Sequence, residues 1–180
     1  VSHNPFEVGV FCEKVWLIEG GEIVGTGSPE QVFLRPESAS QALLAGVENI
    51  WRGKVVAAEA DRVTVSLGAS RLNAEFRGGK IGDEVVVVLA AAEVLLSRTL
   101  LTQTSARNVW TARVTNLSVR GREVAVHLGC RSDGIAENTS PDPTPMVALI
   151  TPAALADQEL KQGDTIYAVF KAIAVRVFTD

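Results

Sequence analysis

The sequence predicts a mainly β protein, with two tandem small β-barrels preceded by a short α/β segment, and three observations carry that expectation. Glu48-Asn49-Ile50-Trp51-Arg52-Gly53-Lys54-Val55 returns as Arg107-Asn108-Val109-Trp110-Thr111-Ala112-Arg113-Val114, an internal repeat. Each copy continues into an alternation that ends in Leu-Gly, Val63 to Gly68 in the first and Val124 to Gly129 in the second. Each then closes with a Gly-Asp turn and a β-rich run, Gly82-Asp83 into Val85–Leu89 and Gly163-Asp164 into Ile166–Phe170. The order is the same in both, so residues 46–97 and 105–179 read as two copies of one unit. The expected domains are 1–37, 38–98 and 99–180.

Taken in order, Val15–Ile18, Gly20-Gly21 and Ile23-Val24 read as a hairpin. Gly27-Ser28-Pro29-Glu30 opens a short helix, with Ser28 as cap and Pro29 as first residue, and Arg35-Pro36 ends it. Two strands and a stub of helix are too little for a core of their own. Residues 1–37 are therefore expected to need packing partners that the chain does not supply. The two repeats carry short runs of Val, Ile and Thr bounded by Gly, Asp and Asn, the punctuation of a small barrel. The second is longer: Arg131 to Pro145, with Pro141, Pro143 and Pro145, is expected to be a mobile loop, and Thr151 is placed to cap a short helix starting at Pro152. Trp51 and Trp110 occupy equivalent places and read as core anchors; a stacking platform for nucleobases is the alternative.

Composition narrows the function classes. Of 180 residues, 17 are Lys or Arg and 21 are Asp or Glu, a net charge of −4, which argues against nucleic-acid and membrane-surface partners. With 47% apolar and 21% charged residues the chain can bury a core, which excludes wholesale disorder. The longest uncharged apolar run, Val85 to Ala92, falls well short of the roughly 20 residues of a membrane span. No secretory signal opens the chain, and Cys12 and Cys130 are too few and too far apart for a disulfide framework or zinc site. A reducing cytoplasm is the simplest home, and a first residue other than Met points to a piece of a longer protein.

Val1-Ser2-His3-Asn4-Pro5, followed by Val15 to Ile18 and Gly25-Thr26-Gly27-Ser28-Pro29-Glu30, resembles the last stretch of an ABC-transporter ATPase subunit from its switch histidine onward. The resemblance covers the first 37 residues and implies that His3 reaches the γ-phosphate of ATP, held with Mg, in an intact parent. No Gly-x-x-x-x-Gly-Lys-Ser/Thr loop is present: Gly53-Lys54 is followed by Val55 and Gly79-Lys80 by Ile81. Without that nest of backbone N–H groups the chain alone is not expected to hydrolyse ATP.

A second resemblance covers residues 46–180. Thr104-Ser105-Ala106-Arg107-Asn108-Val109-Trp110, with Lys161-Gln162-Gly163-Asp164 and Val169-Phe170-Lys171-Ala172 downstream, is similar to the oxyanion-binding Mop-type domain, here doubled as in the regulatory part (di-Mop/TOBE) of molybdate and tungstate importer ATPases. The resemblance implies OB-like barrels and molybdate or tungstate as ligand, bound at Ser105, Ala106, Arg107, Asn108, Lys171 and Ala172, with Thr151 as a further donor. It also implies a homodimer of ATPase subunits attached to integral membrane permease subunits at the inner face of the membrane. The chemistry agrees: a tetrahedral dianion presents only acceptors, so its pocket must supply hydroxyl and amide donors and fixed positive charge. In the first repeat Gly46 and Glu48 stand where the second has Ser105 and Arg107, which makes that unit scaffold. Ile173 stands where the family usually carries Ser or Thr. The alternative reading is a ligand-free TOBE-type dimerisation appendage.

Overall fold

The computed structural model describes residues 5–19, 21–34, 48–120, 122–132 and 142–179. His3 and residues 133–141 lie outside them, so the switch-histidine reading and the centre of the expected loop go undescribed. The N-terminal segment comprises α1 (Pro5–Phe11), β1 (Val15–Glu19), β2 (Glu22–Gly27) and α2 (Pro29–Leu34). The first repeat forms β3 (Glu48–Glu59), β4 (Arg62–Ser66), β5 (Arg71–Glu75), β6 (Glu84–Ala90), a 3-10 turn over Ala91–Glu93 and β7 (Leu95–Ser97). The second forms β8 (Asn108–Arg120), β9 (Glu123–Ser132), β10 (Thr144–Ile150), α3 (Pro152–Asp157), β11 (Thr165–Phe170), a 3-10 turn over Ala172–Ala174 and β12 (Arg176–Thr179). Apart from α3 the two runs match element for element.

They curl into two half-barrel sheets that exchange strands. One five-stranded sheet runs β12-β6-β3-β4-β5 and the other β7-β11-β8-β9-β10, so each repeat gives its last strand to the other. Val177 pairs with Val87, and in the mirrored place Leu96 pairs with Ala168. The 3-10 turns redirect the chain just before each exchanged strand. Bulges also match, falling between Val55 and Ala57 on β3 and between Val114 and Asn116 on β8. Gly82 and Gly163 take positive φ, 101° and 94°, in the turns that hydrogen-bond to these bulges through Val55 and Val114.

The core lies between the two sheets. Val63, Val65, Leu72, Val85, Val87 and Leu89 from one meet Trp110, Val126, Met146, Ile166 and Phe170 from the other, all buried. Trp51 and Trp110 are core anchors, as expected: their ring centroids are 6.1 Å apart, and Phe170 meets Trp110 edge-on at 5.1 Å. At 5% and 1% exposure neither ring offers a face to a nucleobase.

Two buried asparagines, one per repeat, cross-brace the sheets. Asn49 Nδ2 donates to Val147 O (2.9 Å) and Val147 N donates to Asn49 Oδ1 (2.7 Å). Asn108 does the same to Asn73, Nδ2 to O at 2.9 Å and N to Oδ1 at 2.7 Å. The indoles complete each brace, Trp51 Nε1 donating to Pro145 O and Trp110 Nε1 to Arg71 O. Each brace thus gives the backbone of β10 or β5 the partners that no further strand supplies.

Two expectations are corrected. The N-terminal segment does find partners within the chain: Val15 and Val32 bury against Ile50, Val86 and Val88 on the outer face of the first sheet. Strand β6 is therefore covered on both faces, which is why it reads as the unbroken run Val85–Leu89 rather than as an alternation. Arg131 and Ser132 belong to β9, and Thr144 and Pro145 to β10, rather than to a loop. Pro145 is tolerated because β10 is an edge strand and needs no donor there. Helix α1, which starts at a proline, was not anticipated.

Other local readings hold. Strands β1 and β2 pair as a hairpin, and Ser28 caps α2 reciprocally, Gln31 N donating to Ser28 Oγ and Ser28 N to Gln31 Oε1. Cys12 and Cys130 are both free thiols, and burial pushes the Cys130 thiol far up, keeping it protonated. Among the described residues no helix is long and apolar enough to cross a membrane.

Strand exchange makes each sheet depend on the other. Urea unfolding of Trp51→Phe and of Trp110→Phe, followed separately by fluorescence and circular dichroism, is expected to give coincident curves within each variant. Separated transitions for the two sheets would contradict this.

Candidate functional site

The site is built where β8 begins and β11 ends. Register pairs Phe170 with Asn108, so Lys171, one step beyond, stands at the position opposite Arg107. Buried Phe170 and Trp110 pin the two strand ends below it. Lys171 is extended (φ −79°, ψ 146°) and caps the 3-10 turn, its carbonyl accepting from Ala174 N at 3.1 Å. The pairing of these strand ends thus brings the Ser105–Asn108 turn and Lys171-Ala172 to the same end of the sheet, across more than sixty residues of sequence. Ser105, Arg107 and Lys171 are exposed, whereas Asn108 and Ala172 are buried.

The individual groups differ in what they have left to offer. Ala106 N donates to Thr104 Oγ1 at 3.2 Å, so this amide already has a partner inside the turn. Asn108 is 2% exposed and its carboxamide is engaged at both ends with Asn73. The Arg107 carbonyl accepts from Asn73 Nδ2 at 3.2 Å, and its guanidinium lies on an exposed residue. Ser105 contributes a hydroxyl and Lys171 an ammonium group. The arrangement therefore concentrates donors and two fixed cations on one rim, the combination an oxyanion requires.

Thr151 is elsewhere. It follows Ile150, which pairs with Val124, whereas the Asn108 end of β8 lies by Ser132 at the other end of β9. Its Oγ1 accepts from Ala154 N at 3.1 Å as the N-cap of α3, the structural role foreseen for it. Within one chain it does not join Ser105 and Lys171. A separate cavity of about 410 Å³ opens between the N-terminal segment and the barrel, touching Gly9, Cys12, Trp51, Arg52, Thr144 and Pro145 and none of the predicted donors. Among the described residues no group of three His, Cys, Asp or Glu side chains could hold a metal ion.

Asn73 was missed by the sequence reading. Its signal is faint: one half-buried amide in Arg71-Leu72-Asn73-Ala74-Glu75, where the matching place in the second repeat is Val147.

Residues 104–177 match the model of the TOBE domain. The matched segment is less than half of the chain. It begins at Thr104, so it takes in the whole Ser105–Asn108 turn together with Lys171. Over nearly its full length the chain is also similar to part of proteins named as import ATP-binding proteins. It is 27% identical over 184 residues to the molybdate/tungstate import ATP-binding protein WtpC of Pyrococcus horikoshii, covering 99% of this chain and 46% of the relative. It is 26% identical over 178 residues to the molybdenum import ATP-binding protein ModC of Rhizobium johnstonii, covering 97% of this chain and 46% of the relative. The chain spans about half the length of these curated relatives. Among solved structures, the cytoplasmic molybdate-binding protein ModG, crystallised with molybdate bound, superposes with a TM-score of 0.61 at 28% identity, covering 73% of this chain and 96% of that one. Residues 104–177 and the repeat before them thus share the doubled OB-like fold of ModG.

Because the Thr151 hydroxyl is a helix cap in this fold, Thr151→Ala is expected to cost about 1 kcal/mol of stability. A shift of the urea midpoint at unchanged slope would measure it.

Proposed function

We propose that the chain is the regulatory, oxyanion-binding part of the ATPase subunit of a molybdate or tungstate ABC importer, joined to the tail of its nucleotide-binding domain. The observation that carries this reading is the placement of Lys171 opposite Arg107 within the segment that matches the TOBE domain. The likeness to molybdate-bound ModG and to importer subunits named for molybdate and tungstate supports the choice of ligand. Ser105, Arg107 and Lys171 supply the donors and the charge that a dianion demands. All three are exposed, and a second copy of the chain closes the cage around them.

In the intact parent, ATP and Mg bind the nucleotide-binding domain, and His3 serves as its switch histidine. The subunit sits at the cytoplasmic face of the membrane, as a homodimer held to its permease partners. Cytoplasmic oxyanion bound to the barrels holds the ATPase halves apart when the cell is replete. Such inhibition needs the ligand to favour one arrangement over the other; a tenfold shift of population takes about 1.4 kcal/mol of differential binding.

A second reading makes the barrels a ligand-free dimerisation appendage. Ile173, 71% exposed beside Lys171, favours it, because an apolar side chain on that rim suits a protein interface better than a bath of water.

Calorimetric titration with molybdate, tungstate and sulfate separates the two. The oxyanion reading expects saturable heat with molybdate or tungstate, and its loss in Arg107→Glu and in Lys171→Glu with the fold retained by circular dichroism. Unchanged affinity in either variant refutes the site, and a dimer that takes up no anion favours the appendage.

A further inference from the structure

The first repeat was expected to be scaffold, yet one of its side chains reaches the turn that presents Ser105 and Arg107. Asn73 on β5 grips the start of β8 through three hydrogen bonds. Two run between the backbone of Asn73 and the carboxamide of Asn108, and the third runs from Asn73 Nδ2 to Arg107 O. Only the third uses the Asn73 side chain. Thr64, paired with Asn73 across β4 and β5, donates its hydroxyl to Asn73 Oδ1 at 3.1 Å. That bond sets the orientation of the amide. With Oδ1 held by Thr64, Nδ2 faces the Arg107 carbonyl; the flipped amide would set oxygen against oxygen.

The internal symmetry of the fold provides a control. At the other end of the molecule Asn49 braces Val147 through the same pair of backbone bonds. Val147, in the place of Asn73, has no side-chain donor and buries instead with Ala91 and Ala125. Cross-bracing therefore does not call for an amide at this position. The Asn73 carboxamide is present only at the end that carries Ser105, Arg107 and Lys171.

We infer that Thr64 and Asn73 are positioning residues for the oxyanion site: a two-link chain of side-chain hydrogen bonds from the first repeat holds the Arg107 peptide and so aims the Ser105–Arg107 turn. The inference rests on the oxyanion reading above and adds the device that pre-organises it. Binding to a turn already held costs less ordering than binding to one that must be fixed by the ligand.

The test is calorimetric titration of the full 180-residue chain and its variants with molybdate, alongside urea unfolding. Asn73→Ala keeps both backbone bonds to Asn108, so its affinity is expected to fall about three- to tenfold, the worth of one hydrogen bond, with the urea midpoint little changed. Thr64→Val is expected to weaken binding in the same direction, while Thr64→Ser retains the affinity of the unaltered chain. A purely structural role for a strand threonine predicts the reverse order, since valine suits a strand better than serine does. Affinity unchanged in Asn73→Ala while Arg107→Glu abolishes binding overturns this inference and leaves the oxyanion reading intact, as does Thr64→Ser binding more weakly than Thr64→Val. No binding by the unaltered chain overturns both.

Discussion

The hydrogen bonds that Asn49 and Asn108 make across the repeats fix the geometry on which the core and the candidate site both depend. A barrel made of two curled sheets leaves the ends of β5 and β10 facing the other sheet with backbone groups that no strand pairs. Left bare in a buried place, each such group costs on the order of 1–3 kcal/mol. A carboxamide, carrying donor and acceptor side by side, satisfies an N–H and a C=O of the same residue at once, as it does at Val147 and at Asn73. The neighbouring indoles add Pro145 O and Arg71 O to what is satisfied. Polar braces of this kind are directional, whereas valine packing is not, so they set the register between sheets that the apolar core merely holds together.

Much of this was legible in the sequence. The repeat, the alternation within each strand and the paired Gly-Asp turns are local features, and local features determine where strands lie and which face is buried. The tryptophans were legible because they recur at one place in both copies. Strand exchange was not. Leu95–Ser97 and Arg176–Thr179 have the same local character whether each returns to its own sheet or crosses to the other, and only long-range pairing separates the two outcomes. The run Val85–Leu89 did hold a clue, since five apolar residues without alternation imply cover on both faces. Its outer cover, Val15 and Val32, lay in the segment judged unable to pack within the chain.

The candidate site divides in a similar way. Ser105 to Asn108 and Lys171 form contiguous motifs with a recognisable chemistry, and the β8–β11 register places Lys171 opposite Arg107. Asn108, foreseen as a ligand, spends its amide on the brace, and Ala106 spends its N–H on Thr104. Asn73 escaped notice because its meaning comes from another repeat and no spacing rule links it to Arg107. A residue that acts by holding a second residue leaves little trace in a linear pattern.

The exchanged strands also bear on how the protein is made. Strand β12 leaves the ribosome after every other element of the two repeats, yet its place is the edge of the first sheet, where Val177 lies along Val87. Until β12 emerges, β6 presents an open edge of valines, the kind of surface on which nascent chains aggregate. What precedes it in the chain is the hairpin and helix that bury Val86 and Val88. The hairpin and α2 are thus a shield made before β6, covering one of its faces while its edge waits for β12.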